Sequence, residues 1–104
     1  MLKLTESNFR QAVINSEIPV MVEFYSRHCS KCAIMEEVID DLEEEFSRKV
    51  KFGRVNIDQC RRLKAKYQIE MVPTFMIFKC GKAIGCMFGV VNEKTIYDRI
   101  EEII

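Results

Sequence analysis

The spacing of apolar and polar residues changes along the chain, and each change marks a predicted element. Pro19 precedes the apolar run Val20–Tyr25, which predicts a strand buried on both faces, as in the centre of a parallel sheet. Over residues 31–47 the apolar positions recur every three or four residues, which predicts an amphipathic helix. The apolar face of this helix consists of Met35, Val38, Ile39, Leu42 and Phe46. A buried strand that is followed closely by a helix is therefore the main feature of the pattern.

Shorter elements flank this strand and helix. Residues 2–4 predict a short strand, and Thr5 or Ser7 can cap a helix that runs to about Asn15. The apolar face of that first helix would consist of Phe9, Ala12 and Val13. After the long helix, the predicted elements are a strand over 50–57, a short helix over 58–67 and strands over 74–78 and 83–88. A last helix, capped by Asn92, faces the core with Ile96, Ile100 and Ile103 or Ile104.

The order of these elements predicts an α/β protein. Strands alternate with helices in the first part of the chain, and two strands then form a hairpin around Gly81. We therefore expect a mixed sheet with helices on both faces and right-handed crossovers in its parallel part. A chain of 104 residues fits one hydrophobic core, so we expect residues 1–104 to form a single domain.

Charge and hydropathy exclude several classes of function. Lys plus Arg number 16 and Asp plus Glu number 16, so the net charge is zero and gives no reason to expect nucleic-acid or membrane binding. No apolar run approaches the ~20 residues of a membrane span, and the first residues carry no apolar signal segment. We therefore expect a cytoplasmic protein. Acidic residues are concentrated at positions 36–45 and basic residues at positions 48–66. These charges form either the solvated faces of helices and loops or a bipolar surface that orients a partner protein.

Cys29 and Cys32 lie where the strand pattern gives way to the helix pattern. Two thiols at this spacing can touch and close a disulfide, and unpaired backbone N–H groups at a helix start favour a thiolate. A thiolate beside a second thiol exchanges disulfides. The same spacing could be half of a metal site, for which His28 could supply a third ligand, although adjacent side chains rarely converge on one ion. The chain has 5 cysteines, an odd number, which favours a reducing compartment and reversible thiol chemistry.

Short segments along nearly the whole chain resemble the thioredoxin family in their order and spacing. They are Val22-Glu23-Phe24-Tyr25, Cys29-Ser30-Lys31-Cys32, Val55-Asn56-Ile57-Asp58, Val72-Pro73-Thr74-Phe75, Phe78-Lys79-Cys80-Gly81-Lys82 and Phe88-Gly89. A Cys-x-x-Cys beside a βαβ pattern is a known signature of this family. The resemblance implies the thioredoxin fold, an α/β fold with a central mixed sheet of about five strands flanked by about four helices. It also implies the reduction of protein disulfides.

The resemblance assigns catalytic roles to three residues. Cys29 would attack a substrate disulfide, Cys32 would resolve the mixed disulfide, and Glu23 would take a proton from Cys32, as the family's buried aspartate does. An ionised carboxylate is costly to bury in an apolar strand, so the pKa of Glu23 should rise. Alternatively, Glu23 reaches solvent or pairs with a cation. Arg54 stands where thioredoxins often have a lysine, and it could hold Glu23 ionised or lie on the surface.

Four residues are predicted to contact the substrate. The family implies a cis peptide bond at Pro73, beside the cysteines, which would expose the backbone of Val72 to a substrate chain. Thioredoxins usually read Trp-Cys-Gly-Pro-Cys at the active site, whereas this chain has His28 and Lys31 in place of the tryptophan and the proline. His28 is either an exposed loop residue or, as a cation, an influence on the neighbouring thiol. Glu37 replaces a proline that usually kinks the helix.

These observations together predict a monomeric protein-disulfide reductase without a bound cofactor or metal. Its partners would be disulfide-containing proteins, and the resemblance implies a thioredoxin reductase for re-reduction. The alternatives are a more oxidising, isomerase-like oxidoreductase, a non-catalytic adaptor that docks a partner, and a carrier of a metal or cluster.

The remaining cysteines, Cys60, Cys80 and Cys86, are expected to be structural or surface thiols, with a regulatory thiol as the alternative. If Cys80 begins a two-residue turn, Cys86 should face Phe75, which argues against a disulfide between Cys80 and Cys86.

The residues around the cysteines predict a reduction potential less negative than that of a standard thioredoxin. His28 and Lys31 both favour the thiolate of Cys29, and stabilising the reduced form makes a disulfide more oxidising. Equilibration of the protein with a thiol redox buffer should give a potential above thioredoxin's value of about −270 mV. A value at or below that level would contradict the hypothesis.

Overall fold

Strands and helices alternate in the computed structural model, which describes residues 1–104. The strands are β1 (Leu2–Leu4), β2 (Val20–Tyr25), β3 (Lys51–Asn56), β4 (Thr74–Lys79) and β5 (Lys82–Phe88). The helices are α1 (Ser30–Phe46), α2 (Arg61–Lys66) and α3 (Glu93–Ile103), with a π-helix over Arg10–Ile14. The boundaries of β2 and α1 lie at or within one residue of their predicted positions, because their periodicity is unbroken. No helix is both long and apolar enough to cross a membrane.

The 5 strands form one mixed sheet in the order β1-β3-β2-β4-β5. β1 and β2 both run parallel to β3, whereas β4 is antiparallel to β2 and to β5. Parallel strands need long crossover connections: the π-helix segment connects β1 to β2, which lie on either side of β3, and α1 connects β2 to its neighbour β3. The central position of β2 explains its uninterrupted apolar run, since both of its faces are covered. The predicted α/β architecture is confirmed.

Helices cover the two faces of the sheet and define two hydrophobic layers. On one face, Met35 and Ile39 of α1 and Ile100 of α3 pack in a buried cluster with Met21 of β2. The other face is covered by the π-helix segment and α2, and its cluster includes the alternate β2 residues Val20, Val22 and Phe24. Side chains along a strand point alternately to the two faces. Glu23, between Val22 and Phe24, is therefore directed to the face that α1 covers.

The predicted N-terminal helix differs from the observed one. Thr5 N donates to Asn8 Oδ1 at 2.8 Å and Asn8 N donates to Thr5 Oγ1 at 3.3 Å, so the segment begins with reciprocal caps. Asn15 N then donates to Arg10 O at 2.8 Å, a bond of the i to i+5 type that defines a π-helix. In so short a segment, the spacing of apolar residues does not distinguish an α-helix from a π-helix. The predicted apolar face is nevertheless used, because Phe9 and Val13 are buried.

The β4–β5 hairpin corrects the predicted environment of Cys86. Cys80 lies in the turn with a left-handed φ of 53°, as a two-residue hairpin turn requires. Ile84 has no partner in the ladder, so it forms a bulge that shifts the register. Cys86 therefore pairs with Met76 and not with Phe75, and the prediction was wrong in this detail. Cys80 and Cys86 are both free and exposed, as expected of surface thiols.

Gly53 in β3 leaves no room for a larger residue, which gives a stability prediction. A Cβ built on Gly53 would lie 2.6 Å from Leu4 Cδ1, and Leu4 is only 2% exposed. We predict that Gly53→Ala lowers the free energy of unfolding by about 1–3 kcal/mol, measured by urea denaturation. Gly85→Ala is the matched control, because its Cβ would meet its nearest neighbours at 3.7–3.8 Å. Equal losses of unfolding free energy in the two variants would show that the contact with Leu4 does not cause the destabilisation.

Candidate active site

Cys29 and Cys32 form a disulfide at the N-terminus of α1, with their Cα atoms 5.2 Å apart. Cys29 is the N-cap of the helix, with an extended backbone (φ −131°, ψ 108°), and its Sγ accepts a hydrogen bond from Cys32 N at 3.1 Å. Cys32 is buried at 5% exposure, whereas Cys29 is partly exposed. An incoming disulfide can therefore reach Cys29 first.

The local structure favours a thiolate at Cys29 once the disulfide is reduced. A sulfur at the N-cap faces unpaired backbone N–H groups and the positive end of the helix dipole. The first turn of α1 contains no acidic residue that would oppose this field. Arg27, His28 and Lys31 are exposed neighbours in sequence. The side chains of His28 and Lys31 make no hydrogen bond or ion pair with the rest of the chain, so both are available to a partner.

Glu23 is buried in β2, at 2% exposure, directly opposite Arg54 of β3. Burial raises the pKa of Glu23 from its ordinary value of 4.5 to about 7, although the nearby positive charge of Arg54 opposes the rise. Glu36 and Asp40 of α1 add to the rise through charge repulsion. The expectation of a raised pKa is thus confirmed.

The pairing of Glu23 with Arg54 is incomplete. Arg54 Nε lies 3.4 Å from Glu23 Oε1, and its guanidinium carbon lies 4.0 Å from the centre of the Tyr25 ring. Arg54 Nε and Glu23 Oε2 are nonetheless buried without a hydrogen-bond partner. Arg54 therefore does not lie free on the surface, and it offsets only part of the cost of burying the carboxylate.

The Val72–Pro73 peptide bond is cis, as the resemblance predicts. Pro73 O accepts a hydrogen bond from Gly89 N at 2.8 Å, and Thr74 Oγ1 donates to Met71 O at 2.6 Å, so both sides of the bond are tethered. Thr74 pairs with Phe24 near the end of β2. The Pro73 loop therefore lies at the same edge of the sheet from which the chain proceeds to the cysteines.

Several exposed apolar residues border these segments and escaped the sequence analysis. Ile34 of α1 is 60% exposed, Met71 is 54% exposed, and Phe88 and Val90 are each 56% exposed. Ile34 breaks the apolar periodicity of α1, and the others flank Pro73 and Gly89. The only sequence signal that could have identified these four residues is their apolar character at positions outside the predicted core.

The other candidate chemistries receive little structural support. No group of three or more His, Cys, Asp or Glu side chains is arranged to hold a metal ion, so His28 does not join the two cysteines in such a group. Cys60 is buried, and burial raises the pKa of its thiol, which makes it a weak competitor of Cys29 as a nucleophile.

Comparison with known proteins agrees with this geometry. The sequence model of the Thioredoxin family matches residues 1–102. The chain is 32% identical over 102 residues to a thioredoxin of Pyropia yezoensis, which covers 98% of this chain and 95% of that protein. It is 32% identical over 100 residues to Thioredoxin 1 of Nostoc sp., covering 96% and 94%. It is also 33% identical over 99 residues to the chloroplastic M-type thioredoxin of Spinacia oleracea, covering 95% and 55%.

A disulfide at the start of the helix that follows the central strand, with a raised-pKa carboxylate in that strand, defines a thiol–disulfide oxidoreductase. The chain belongs to the thioredoxin family. It is a protein-disulfide reductase, as the sequence analysis predicts.

The raised pKa of Glu23 predicts a pH-dependent stability. Between pH 4.5 and about 7 the unfolded chain loses a proton that the folded protein keeps, so stability falls as the pH rises through this range. The pKa difference corresponds to about 3 kcal/mol. Glu23→Gln should therefore gain stability relative to the wild type as the pH rises, measured by urea unfolding of the oxidised protein. Glu37→Gln, which replaces an exposed carboxylate, should keep the wild-type profile. If Glu23→Gln kept the pH profile of the wild type, the buried carboxyl of Glu23 would not be the cause of the pH-dependent stability.

Proposed function

We propose that residues 1–104 form a single domain that reduces protein disulfides with Cys29 as the nucleophile and Cys32 as the resolving thiol. The observation that carries this proposal is the disulfide at the N-terminus of α1, in which Cys29 is the more accessible partner. An intact cysteine pair in which Cys29 is partly exposed argues against a purely non-catalytic adaptor. No structural feature specifically favours the isomerase-like alternative.

In the first step, the Cys29 thiolate attacks one sulfur of a substrate disulfide. The new bond joins Cys29 Sγ to the substrate, and the other substrate sulfur leaves as a thiolate with the electron pair of the broken bond. The Cys32 N–H that contacts Cys29 Sγ supports this step, because it stabilises negative charge on that sulfur.

In the second step, Cys32 resolves the mixed disulfide. Its thiol gives a proton to Glu23, and the resulting thiolate attacks Cys29 Sγ, so that the second substrate sulfur leaves as a thiolate. The burial of Cys32 supports this order, since it hinders reaction with external disulfides. A pKa of about 7 supports the role of Glu23, because such a group takes up and releases protons near neutral pH.

Substrate binding would involve Val72, Pro73, His28 and Lys31. The tethered Pro73 loop supports pairing of an extended substrate segment with the backbone of Val72, as in the addition of a short strand. His28 and Lys31 are exposed on either side of Cys29 in sequence, so they can contact polar or acidic groups near the substrate disulfide.

The proposed cellular role is that of a reductase in a reducing compartment, for which we propose the cytoplasm. A thioredoxin reductase would regenerate the dithiol. Three free cysteines support a reducing location, and the balanced net charge argues against nucleic-acid or membrane partners. The redox pair lies within one chain, so a monomer without cofactor or metal suffices for the reaction.

Substitution of the two cysteines tests this function. Cys29→Ser should abolish the reduction of insulin by dithiothreitol-reduced protein, because the attacking sulfur is lost. Cys32→Ser should form mixed disulfides that persist, which allows partner proteins to be trapped and identified. Cys86→Ser, which removes an exposed free thiol, is the matched control and should keep wild-type activity. Wild-type activity in Cys29→Ser would exclude the proposed mechanism.

A further inference from the structure

Arg54 lies beside the buried carboxylate of Glu23 without forming a hydrogen bond to it. Arg54 Nε is 3.4 Å from Glu23 Oε1, yet Arg54 Nε and Glu23 Oε2 are both buried and have no hydrogen-bond partner. Unpaired buried polar groups are costly, and hydrogen bonds between charged partners are stronger than those between neutral ones. Another interaction must therefore hold the guanidinium in this position.

The ring of Tyr25 supplies that interaction. Tyr25 and Glu23 lie two residues apart in β2 and therefore on the same face of the sheet, and Arg54 of β3 pairs with Glu23 in the ladder. The guanidinium carbon of Arg54 lies 4.0 Å from the centre of the Tyr25 ring, within the range of cation–π attraction. Arg54 thus has two competing neighbours, a carboxylate and an aromatic ring.

Lack of space does not impose the contact between the guanidinium and the ring. A cleft of about 180 Å³ opens beside the Cys29–Cys32 disulfide, and its lining includes Tyr25, Arg54 and Glu36. The side chain of Arg54 is 32% exposed. The guanidinium therefore has room to move at the cleft, and its position over the ring reflects attraction.

The other groups around Glu23 do not account for the position of Arg54. Glu36 and Asp40 of α1 are the acidic groups whose charges act on Glu23, but neither forms an ion pair with Arg54. On β4, the residue paired with Glu23 is the uncharged Phe75. An arginine stays protonated in proteins, so the two contacts of its guanidinium do not depend on its own titration. The aromatic ring is therefore the contact that competes with the carboxylate.

We propose that Tyr25 is a positioning residue: its ring holds the Arg54 guanidinium out of hydrogen-bonding contact with Glu23. The Glu23 carboxylate is thereby left free to accept the proton of Cys32. Without the ring, the guanidinium turns its N–H groups onto the carboxylate in the bidentate arrangement that arginine favours. Glu23 would then be held ionised and would be a weaker base in the resolving step. Tyr25 acts through Arg54 and exchanges no atom or electron, and the proposal rests on the proposed roles of Glu23 and Cys32.

The first test is the titration of the Glu23 carboxyl in the oxidised protein, followed through its ¹³C resonance. The disulfide keeps Cys29 and Cys32 from titrating, and the spectrum of Glu23→Gln identifies the resonance. Burial places the pKa of Glu23 in the parent protein at about 7. Tyr25→Leu should lower this midpoint by about one pH unit, because the carboxylate gains hydrogen bonds. Tyr25→Phe is the matched control, since it keeps the ring and should keep the parent midpoint.

A double-mutant cycle shows whether Tyr25 acts through Arg54. Arg54→Met removes the guanidinium and should raise the midpoint of Glu23, because the opposing positive charge is lost. In this background Tyr25→Leu should cause no further downward shift. The proposal would be overturned by a midpoint at or above the parent value in Tyr25→Leu, by a downward shift in Tyr25→Phe, or by an equal shift of the midpoint without the guanidinium.

The resolving step is measured by a single-turnover reaction of reduced protein with a chromogenic aromatic disulfide, at about one pH unit above the parent midpoint. Cys80→Ser and Cys86→Ser are introduced first, so that the exposed free thiols do not react. One coloured thiolate is released in the attack and a second in the resolution. Tyr25→Leu should slow the second phase by about threefold, because a weaker base accepts the proton less readily. Tyr25→Phe should keep the parent rate.

The two measurements separate failure of this proposal from failure of the proposed function. A second phase at the parent rate in Tyr25→Leu would refute the effect of the ring on resolution. Glu23→Gln tests the underlying role: an unchanged second phase there would refute proton transfer to Glu23, whatever the titrations of the Tyr25 variants show.

Discussion

A carboxylate buried in the central strand is the constraint on which the rest of this structure depends. Glu23 lies in β2, where charge is poorly solvated, and Arg54 offers it a close contact without a hydrogen bond. The pairing of β2 with β3 and β4 on both sides and the apolar packing of its other residues offset the cost of burying this group. The same burial brings the pKa of Glu23 close to neutrality, a value that suits a group exchanging protons near neutral pH.

Strand geometry connects this carboxylate to the other parts of the site. Alternation along β2 directs Glu23 to the face that α1 covers, and the chain then turns from β2 into the loop that begins α1 with Cys29. Because β4 is antiparallel to β2, its first residue lies beside the end of β2, and Pro73 arrives at the same edge of the sheet. Cys29, Glu23 and the backbone beside Pro73 therefore come from separate segments that the pairing of β2 arranges.

Local periodicity accounts for what the sequence predicts well, and long-range contacts account for the rest. The limits of β2 and the apolar face of α1 follow from their spacing of apolar residues, and the cis bond at Pro73 was expected from family resemblance. The bulge at Ile84 was missed, since it arises from pairing with β4 and has no local signal. The position of Arg54 was left open because it depends on its stacking on Tyr25, and the cleft beside Glu36 likewise joins residues of β2, β3 and α1.

The bulge in β5 has a consequence for the behaviour of the protein in a crowded solution. β5 is an outer strand of the sheet, and a long regular outer strand exposes unpaired backbone groups to which strands of other chains can add. Ile84 interrupts that regular array, and the strand begins with the charged, exposed Lys82. The bulge and the charged residue thus discourage strand addition at this open edge of the sheet. The irregular hairpin therefore favours the dispersed protein over edge-to-edge association with other chains.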